Sequence, residues 1–235
     1  MNDFNFKKVA IVRSCYKEKF GIPRQSGLSD HAEAIIELVA PYNHEDYIRE
    51  LEGFSHLWLI FVFHKHLGRQ AKATVRPPRL GGNKRVGVFA SRSSFRPNPV
   101  GLSVVKLQSI RKQNNKIELS VSGADLVDGT PVIDIKPYIG YADSVTNSHA
   151  AYAQQRPEPV LAVKLSQQAK GFICNVKEQY PLLEKVIRET ISLDPRPGYV
   201  DSEDKVYGLN LYDLNIKWTV EKGQAEVFFI ESLAE

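Results

Sequence analysis

Leu57-Trp-Leu-Ile-Phe-Val-Phe63 is the longest unbroken apolar run in the chain. In an extended segment alternate side chains face opposite ways. Leu57, Leu59, Phe61 and Phe63 therefore take one face, and Trp58, Ile60 and Val62 the other. With both faces apolar, such a strand has to be covered on both sides, which points to a barrel or a layered core rather than an exposed hairpin. The run is far too short to cross a bilayer.

Working outward, Lys7–Arg13, Ala34–Val39, Arg85–Ala90, Gly101–Ile110, Lys116–Ser122 and Pro131–Ile135 read as further short strands. Asn114-Asn115 marks a tight turn between two of them. A short helix is predicted over Asn43–Leu51, with Asn43 as its cap and Glu45 and Asp46 in its first turn. Many short strands with little helix predict a β-barrel domain over residues 1–146. The polar, proline-bearing stretch Asn147–Pro159 reads as a linker. Beyond it, Ser166–Gln179 and Pro181–Ser192 read as helices, the first capped by Ser166. Tyr207–Val220 and Glu226–Leu233 read as a hairpin turning at Lys222-Gly223. The expectation is a mainly β protein, with the barrel followed by a smaller α+β domain at 160–235.

Charge is distributed unevenly. Between Gly53 and Ile117 lie thirteen Lys and Arg residues and no Asp or Glu, although the whole chain carries only +4. Everything outside that window sums to −9, since 18 basic residues face 27 acidic ones. A one-signed field concentrates anions at one part of a surface. Gly87-Val-Phe-Ala-Ser-Arg-Ser-Ser-Phe-Arg-Pro-Asn-Pro-Val-Gly-Leu-Ser103 lies within the window and alternates arginines and aromatics with stiffening prolines. That pattern suits a polyanion with bases or a nucleotide-like ligand; a plain solvated basic face is the blander reading.

A hydrophobic content of 43% and mean hydropathy of −0.29 predict a soluble globular protein. Met1-Asn-Asp-Phe-Asn-Phe-Lys-Lys8 has no apolar core, so no signal peptide and a cytoplasmic location are expected. Cys15 and Cys174 form no zinc spacing and are expected to be free thiols. No G-x-G-x-x-G or G-x-S-x-G occurs, which argues against a Rossmann turn and a nucleophile elbow. Gly82-Asn-Lys-Arg-Val-Gly87 has phosphate-loop glycine spacing, but Val88 stands where lysine is required.

His64 and His66 share a strand face, with His56 in the same phase, but nothing nearby supplies a convincing third metal ligand, so no metal is expected. Pro97 and Pro99 bracket Asn98 and restrain Arg96, so that Arg92, Phe95, Arg96 and Asn98 form a stiff loop suited to RNA or phosphate. In Asp128-Gly-Thr-Pro-Val-Ile-Asp-Ile-Lys-Pro-Tyr138, the residues Asp134, Lys136 and Tyr138 share one phase and are the predicted catalytic wall.

These segments, together with Pro23-Arg-Gln-Ser-Gly-Leu28, Leu51-Glu-Gly-Phe-Ser-His-Leu-Trp58 and Asp194-Pro-Arg-Pro-Gly-Tyr199, carry a resemblance over essentially the full length. The chain resembles the TsaA-like proteins, the YaeB or TrmO family of tRNA methyltransferases. It departs mildly, with Ser94 where proline is frequent and Val100 where isoleucine is. The resemblance implies an S-adenosylmethionine-dependent enzyme on a non-Rossmann β-barrel, acting as a homodimer. The implied substrate is N6-threonylcarbamoyladenosine at tRNA position 37, beside the anticodon, methylated on N6. Carried over motif by motif, cofactor contacts fall at Pro23, Arg24, Gln25, His64, Lys65, Arg92, Leu102, Asp125, Leu126, Val127 and Asp128. Arg196 and Tyr199 join the loop residues as expected RNA contacts. Two rival readings are a non-catalytic RNA-binding protein and a metal-dependent hydrolase using His56, His64 and His66.

Overall fold

The computed structural model describes residues 4–196 and 205–233. Its first eight strands are β1 (Ala10–Ser14), β2 (Glu33–Leu38), β3 (His56–Val62), β4 (Thr74–Val75), β5 (Val86–Gly87), β6 (Val100–Gln113), β7 (Lys116–Ser122) and β8 (Pro131–Pro137). Six of them close into a barrel in the order β1-β2-β7-β6-β3-β8, every neighbour antiparallel. Closure leaves no barrel strand with an unpaired edge.

The apolar run found in the sequence is the strand at the centre of this arrangement. Leu57, Leu59 and Phe61 point into the barrel and are almost wholly buried, together with Ala10, Val12, Ile36, Leu119, Val121 and Val132. The outer set, Trp58, Ile60 and Val62, is only half covered, so burial on the second face is partial. At its end β3 does not continue to His66: Phe63 N donates to Pro99 O at 2.8 Å, and the chain then turns through a 3-10 helix at His64–His66.

Other boundaries also move. The segment at Arg85–Ala90 is not a barrel strand; β5 pairs only with β4, and a 3-10 turn follows at Val88–Ala90. The helix expected at Asn43–Leu51 becomes two 3-10 turns, Glu45–Ile48 and Leu51–Gly53. Its cap is His44, whose ring accepts from Asp46 N, while Asn43 Nδ2 donates to Asn115 O at 2.6 Å. Asn114 and Asn115 both hold positive φ (49° and 58°), as a tight hairpin between β6 and β7 requires.

After a short helix, α1 (Gly140–Asp143), and a 3-10 turn at Ala151–Ala153, a second sheet is built from β9 (Ala162–Leu165), β10 (Tyr207–Leu211), β11 (Leu214–Glu221) and β12 (Gln224–Ser232). Its order is β10-β11-β12-β9, with β9 parallel to β12. The predicted hairpin at Lys222-Gly223 is present, but Tyr207–Val220 is two strands, broken where Tyr212 takes a φ of 56°. Helices α2 (Gln167–Asn175) and α3 (Leu183–Ser192) pack on this sheet, with the Ser166 hydroxyl accepting from Ala169 N as the cap of α2. Cys15 and Cys174 are free thiols, the first buried and the second exposed.

The two halves share one piece of chain. Cys15, Tyr16 and Ala32 belong to the second apolar core, and Phe20 and Ile22 pack against it. Tyr212 N donates to Cys15 O at 2.7 Å, and Asn210 N to Glu18 Oε1 at 3.1 Å. Gly21, at φ +84°, lies against Leu209 so closely that a Cβ there would meet its Cδ1 at 2.1 Å. Further along, Glu189 of α3 accepts from Ser29 Oγ at 2.6 Å and from His31 N at 3.2 Å, with His31 Nδ1 2.5 Å from its other oxygen. The connector is tied down as well: Tyr152 Oη donates to Ala90 O, Arg79 to Gln155 O and Arg156 to Gly27 O.

Gly101 of β6 sits directly across from Phe61 of β3. A Cβ at Gly101 would stand 2.4 Å from Phe61 Cζ and 2.9 Å from Phe63 Cζ. Aromatic rings covering a strand glycine leave no room for a methyl group. Gly101→Ala is therefore expected to destabilise the protein by about 1–3 kcal/mol, the usual range for overpacking. Urea unfolding of the two proteins checks this, and equal midpoints would show that the rings move aside freely.

Candidate active site

A cavity of about 540 Å³ opens where the ends of β3 and β6 meet the segment after β1. Its size is in the range typical of small-molecule sites. Four stretches distant in sequence supply the wall. Lys19 and Ile22–Gln25 come from the shared segment, Phe61, Phe63 and His64–His66 from the end of β3, and Ser91 to Ser103 from the proline loop and β6. Asp125, Leu126 and Val127 close the far side, following β7.

The loop before β6 owes its shape to serines as well as prolines. Ser91 Oγ donates to Val88 O at 2.8 Å and accepts from Ser93 N at 3.3 Å. Ser93 Oγ in turn accepts from Phe95 N at 3.3 Å. Such side-chain turns fix a backbone without regular structure. Arg96 Nη1 donates to the carbonyls of Ser91 and Ser93, at 3.1 and 3.3 Å. Across the cavity, Arg92 Nη1 donates to Gln25 Oε1 at 2.7 Å. Both guanidinium groups are thus oriented by neutral acceptors and keep their full charge.

Among the described residues Asp125 is the one carboxylate in the cavity wall. Ser103 Oγ donates to its Oδ1 at 2.6 Å. Burial pushes its carboxyl up to about 6, against the opposing pull of Ser103 and the nearby Arg92. Burial likewise lowers His64, assisted by Lys65 and Lys19, and lowers His66, assisted by Lys19 and Arg69. Apolar surface from Ile22, Ile60, Phe63 and Leu102 covers much of the remaining wall, with Leu102 still 46% exposed.

Most of the sequence-predicted cofactor set converges here: Pro23, Arg24, Gln25, His64, Lys65, Arg92, Leu102, Asp125, Leu126 and Val127 all line the cavity. Asp128 does not. Its carboxylate accepts from Ser14 N and from Lys17 Nζ, both at 2.9 Å, and so braces the end of β1. Arg96 is in the wall, while Phe95 lies just behind it, its ring 4.6 Å from that of His66 and 4.4 Å from Lys72 Nζ. Asn98 is exposed, and its carbonyl accepts from Val100 N at 2.7 Å.

The predicted catalytic trio is not in the cavity. Asp134 and Lys136 of β8, with Tyr138 just past its end, do share one phase, the outward one, where they stand beside Ile60 and Trp58. Asp134 pairs with Lys136 at 2.8 Å, and Tyr138 lies against Trp58 with ring centres 5.9 Å apart. Asp134 sits one strand beyond Ile60, which is a wall residue. Arg196 is also engaged elsewhere: it grips Asp194 through Nε and Nη2, at 2.7 and 2.8 Å, and its side chain is only 14% exposed. Tyr199 lies outside the described residues. His56 stands at the opposite end of β3 from His64 and His66, which the 3-10 turn lifts off the strand. Among the described residues no three His, Cys, Asp or Glu side chains gather as a metal site would require.

Sequence reasoning missed several wall residues: Lys19, Ile60, Phe63, Ser91 and Ser103. Ser91 and Ser103 belonged to the quoted loop motif and carried a signal; Lys19 had none. Charge pairing adds a further observation. Of the thirteen window cations, Arg111, Lys112 and Lys116 have carboxylate partners, all at the far end of β6 and β7. Among the described residues the other ten form no ion pair, and four of these, Lys65, Arg69, Arg92 and Arg96, stand at or beside the cavity.

Two family descriptions match this chain, the tRNA-methyltransferase O N-terminal domain over residues 11–144 and the TrmO C-terminal domain over residues 158–233. The chain belongs to the TrmO family. A tRNA (adenine(37)-N6)-methyltransferase of Escherichia coli is 46% identical over 233 residues, spanning 98% of this chain and 99% of that protein. A Pyrococcus abyssi protein named "Probable S-adenosyl-L-methionine-binding protein" is 31% identical over 150 residues, covering 64% of this chain and 76% of the relative. Among solved structures, a TrmO crystal structure from Pseudomonas aeruginosa superposes with a TM-score of 0.82 at 32% identity, over 99% of this chain and 98% of that one. The barrel and the second sheet are therefore the TrmO arrangement.

The raised Asp125 carboxyl has a consequence for stability. Its folded-state value, about 6, exceeds the ordinary 3.8, so its contribution is complete at low pH and is lost as pH rises through 6. Asp125→Asn keeps an acceptor for Ser103 and removes the titration. Between about pH 4 and 7 wild type should lose stability relative to the variant, on the order of 2–3 kcal/mol. Denaturant unfolding of both proteins at the two pH values reads the difference; a constant gap would mean the carboxyl is not raised.

Proposed function

We propose that this chain transfers a methyl group from S-adenosylmethionine to N6 of the adenosine at position 37 of tRNA, and that this adenosine carries a threonylcarbamoyl arm. One observation carries the reading: in a TrmO-family barrel, a cavity sets Asp125 near Arg92 over apolar walls and opens among cations that, among the described residues, form no ion pair.

The cavity's chemistry fits the proposed cofactor. S-adenosylmethionine, when bound, supplies an electrophilic methyl group on a sulfonium centre. Its methionine end presents both a carboxylate and an ammonium, so a site for it needs one group of each sign. Arg92, held only by the neutral Gln25, meets the carboxylate, and Asp125 accepts from the ammonium or the ribose hydroxyls. Leu102, Phe63 and Ile22 offer the flat apolar surface an adenine requires. Methyl transfer is an in-line displacement, so alignment by rigid walls is the chain's main contribution. The proton displaced from N6 passes to solvent as S-adenosylhomocysteine leaves; Asp134 is paired with Lys136 outside the cavity wall.

The acceptor side supports the reading through charge. The unpaired cations of the window complement tRNA phosphates, and a threonylcarbamoyl arm adds a carboxylate of its own. A homodimer belongs to the same proposal, with the exposed Leu102 and the half-covered outer face of β3 as its contact surface; sedimentation analysis tests that part directly.

Incubating the protein with labelled S-adenosylmethionine and tRNA bearing N6-threonylcarbamoyladenosine should place the label on that nucleoside, as read by mass spectrometry. Arg92→Ala should weaken cofactor binding at least about tenfold, the loss of one charge-assisted contact. A non-catalytic RNA-binding protein would bind tRNA and leave the label untransferred. Affinity for tRNA should also fall steeply with salt.

A further inference from the structure

Beside the main cavity lies a smaller hollow of about 110 Å³, separated from it by His66, Ser94 and Arg96, which line both. Its remaining wall is the turn Leu67–Gln70 together with Phe95, Pro97 and Pro99. The hollow has room for a group of a few heavy atoms but not for a nucleoside.

Its electrostatics are one-sided. Among the described residues no acidic side chain lines it, and neither Arg69 nor Arg96 has a carboxylate partner. Arg96 is aimed by backbone carbonyls that fix its direction and leave its charge intact. Arg69 is placed by the turn, its backbone N–H donating to His66 O at 3.2 Å while Gly68 takes a φ of 72°. His66 is 9% exposed, hydrogen-bonded to Ser94 Oγ, and backed by the Phe95 ring, over which Lys72 lies. Like charges held close with no counter-ion are mutually unfavourable, and the same pressure is visible where Arg69 and Lys65 help burial lower Lys19. An entering anion relieves that cost and finds Arg96 already aimed.

We propose that this annex is an oxyanion subsite for the tRNA substrate, in which Arg69 and Arg96 grip an anionic oxygen group while the base to be modified lies in the main cavity. The proposal rests on the function stated above and extends it from the cofactor to the substrate. Two groups share the required chemistry: the carboxylate of the base's arm and a neighbouring backbone phosphate. Arg69 lies outside the main cavity wall, which makes it the diagnostic position.

Full-length Arg69→Ala and Arg69→Lys proteins are compared with wild type for kcat and tRNA KM, and for S-adenosylmethionine affinity by calorimetry. Direct binding is measured for a tRNA bearing the threonylcarbamoyl group and for the same tRNA with plain adenine at position 37. The alanine variant should raise the tRNA KM and Kd about tenfold or more, with cofactor affinity and kcat within twofold of wild type, and lysine should restore part of the loss. A loss confined to the modified tRNA identifies the carboxylate; an equal loss on both identifies a phosphate. Unchanged tRNA binding overturns the proposal, as does a parallel fall in cofactor affinity, which would make the annex part of the cofactor site. Wild-type protein that binds these tRNAs without methylating them would defeat the methyltransferase reading alone, and the two binding measurements would still judge the annex.

Discussion

Glu189 reaches from α3 to the turn at Ser29–His31 and takes hydrogen bonds from a hydroxyl, a backbone amide and a ring nitrogen. Those bonds outweigh the burial that would push its carboxyl up, and hold it below the usual range. The segment it anchors, residues 15–31, has one side in the second apolar core and the other in the cavity wall. Ile22 takes part in both. Pro23, Arg24 and Gln25, and through Gln25 the orientation of Arg92, therefore depend on a module that contributes no residue to the cavity wall among those described.

Rigidity and charge work together around the cavity. A barrel without free edges supplies fixed strand ends, and the loops emerging from them carry the polar groups. Serine turns hold the segment from Ser91 to Arg96 in place, so its guanidinium groups are aimed before any ligand arrives. The long stretch of sequence without acidic residues has its counterpart in space: among the described residues the window's cations near the cavity form no ion pair, whereas those at the far end of β6 do. Pre-aimed, uncancelled charge costs little reorganisation on binding.

Much of this was legible in the chain itself. Leu57–Phe63 announced a central barrel strand, though its second face is only half covered; the pair Asn114-Asn115 announced its hairpin, and Ser166 announced the cap of α2, because each signal is local. The cavity wall was legible where a motif marked it, from Pro23 to Gln25 and from Arg92 to Leu102. Asp134, Lys136 and Tyr138 share the outward face with Ile60, which lines the cavity, yet lie outside its wall: periodicity says which residues share a face, and not how far along that face a cavity extends. The pairing of Arg196 with Asp194 was not legible either, since the two are only two residues apart and their contact depends on a backbone bend that no propensity encodes. Strand β9 was missed because its short segment pairs in parallel with a strand some sixty residues distant. Lys19 reaches the wall through tertiary packing of a segment that carries no motif.

The shared segment bears on how this architecture can be divided. Tyr16, wholly enclosed by the second sheet, is encoded ahead of five of the six barrel strands. A gene cut at the connector would release a barrel trailing a greasy loop with nothing to seat it, and a partner half with a hole at its centre. The two family domains are separable in an alignment, but in this molecule they are not interchangeable parts; recombination between relatives would have to carry the early loop and the late sheet as a matched set.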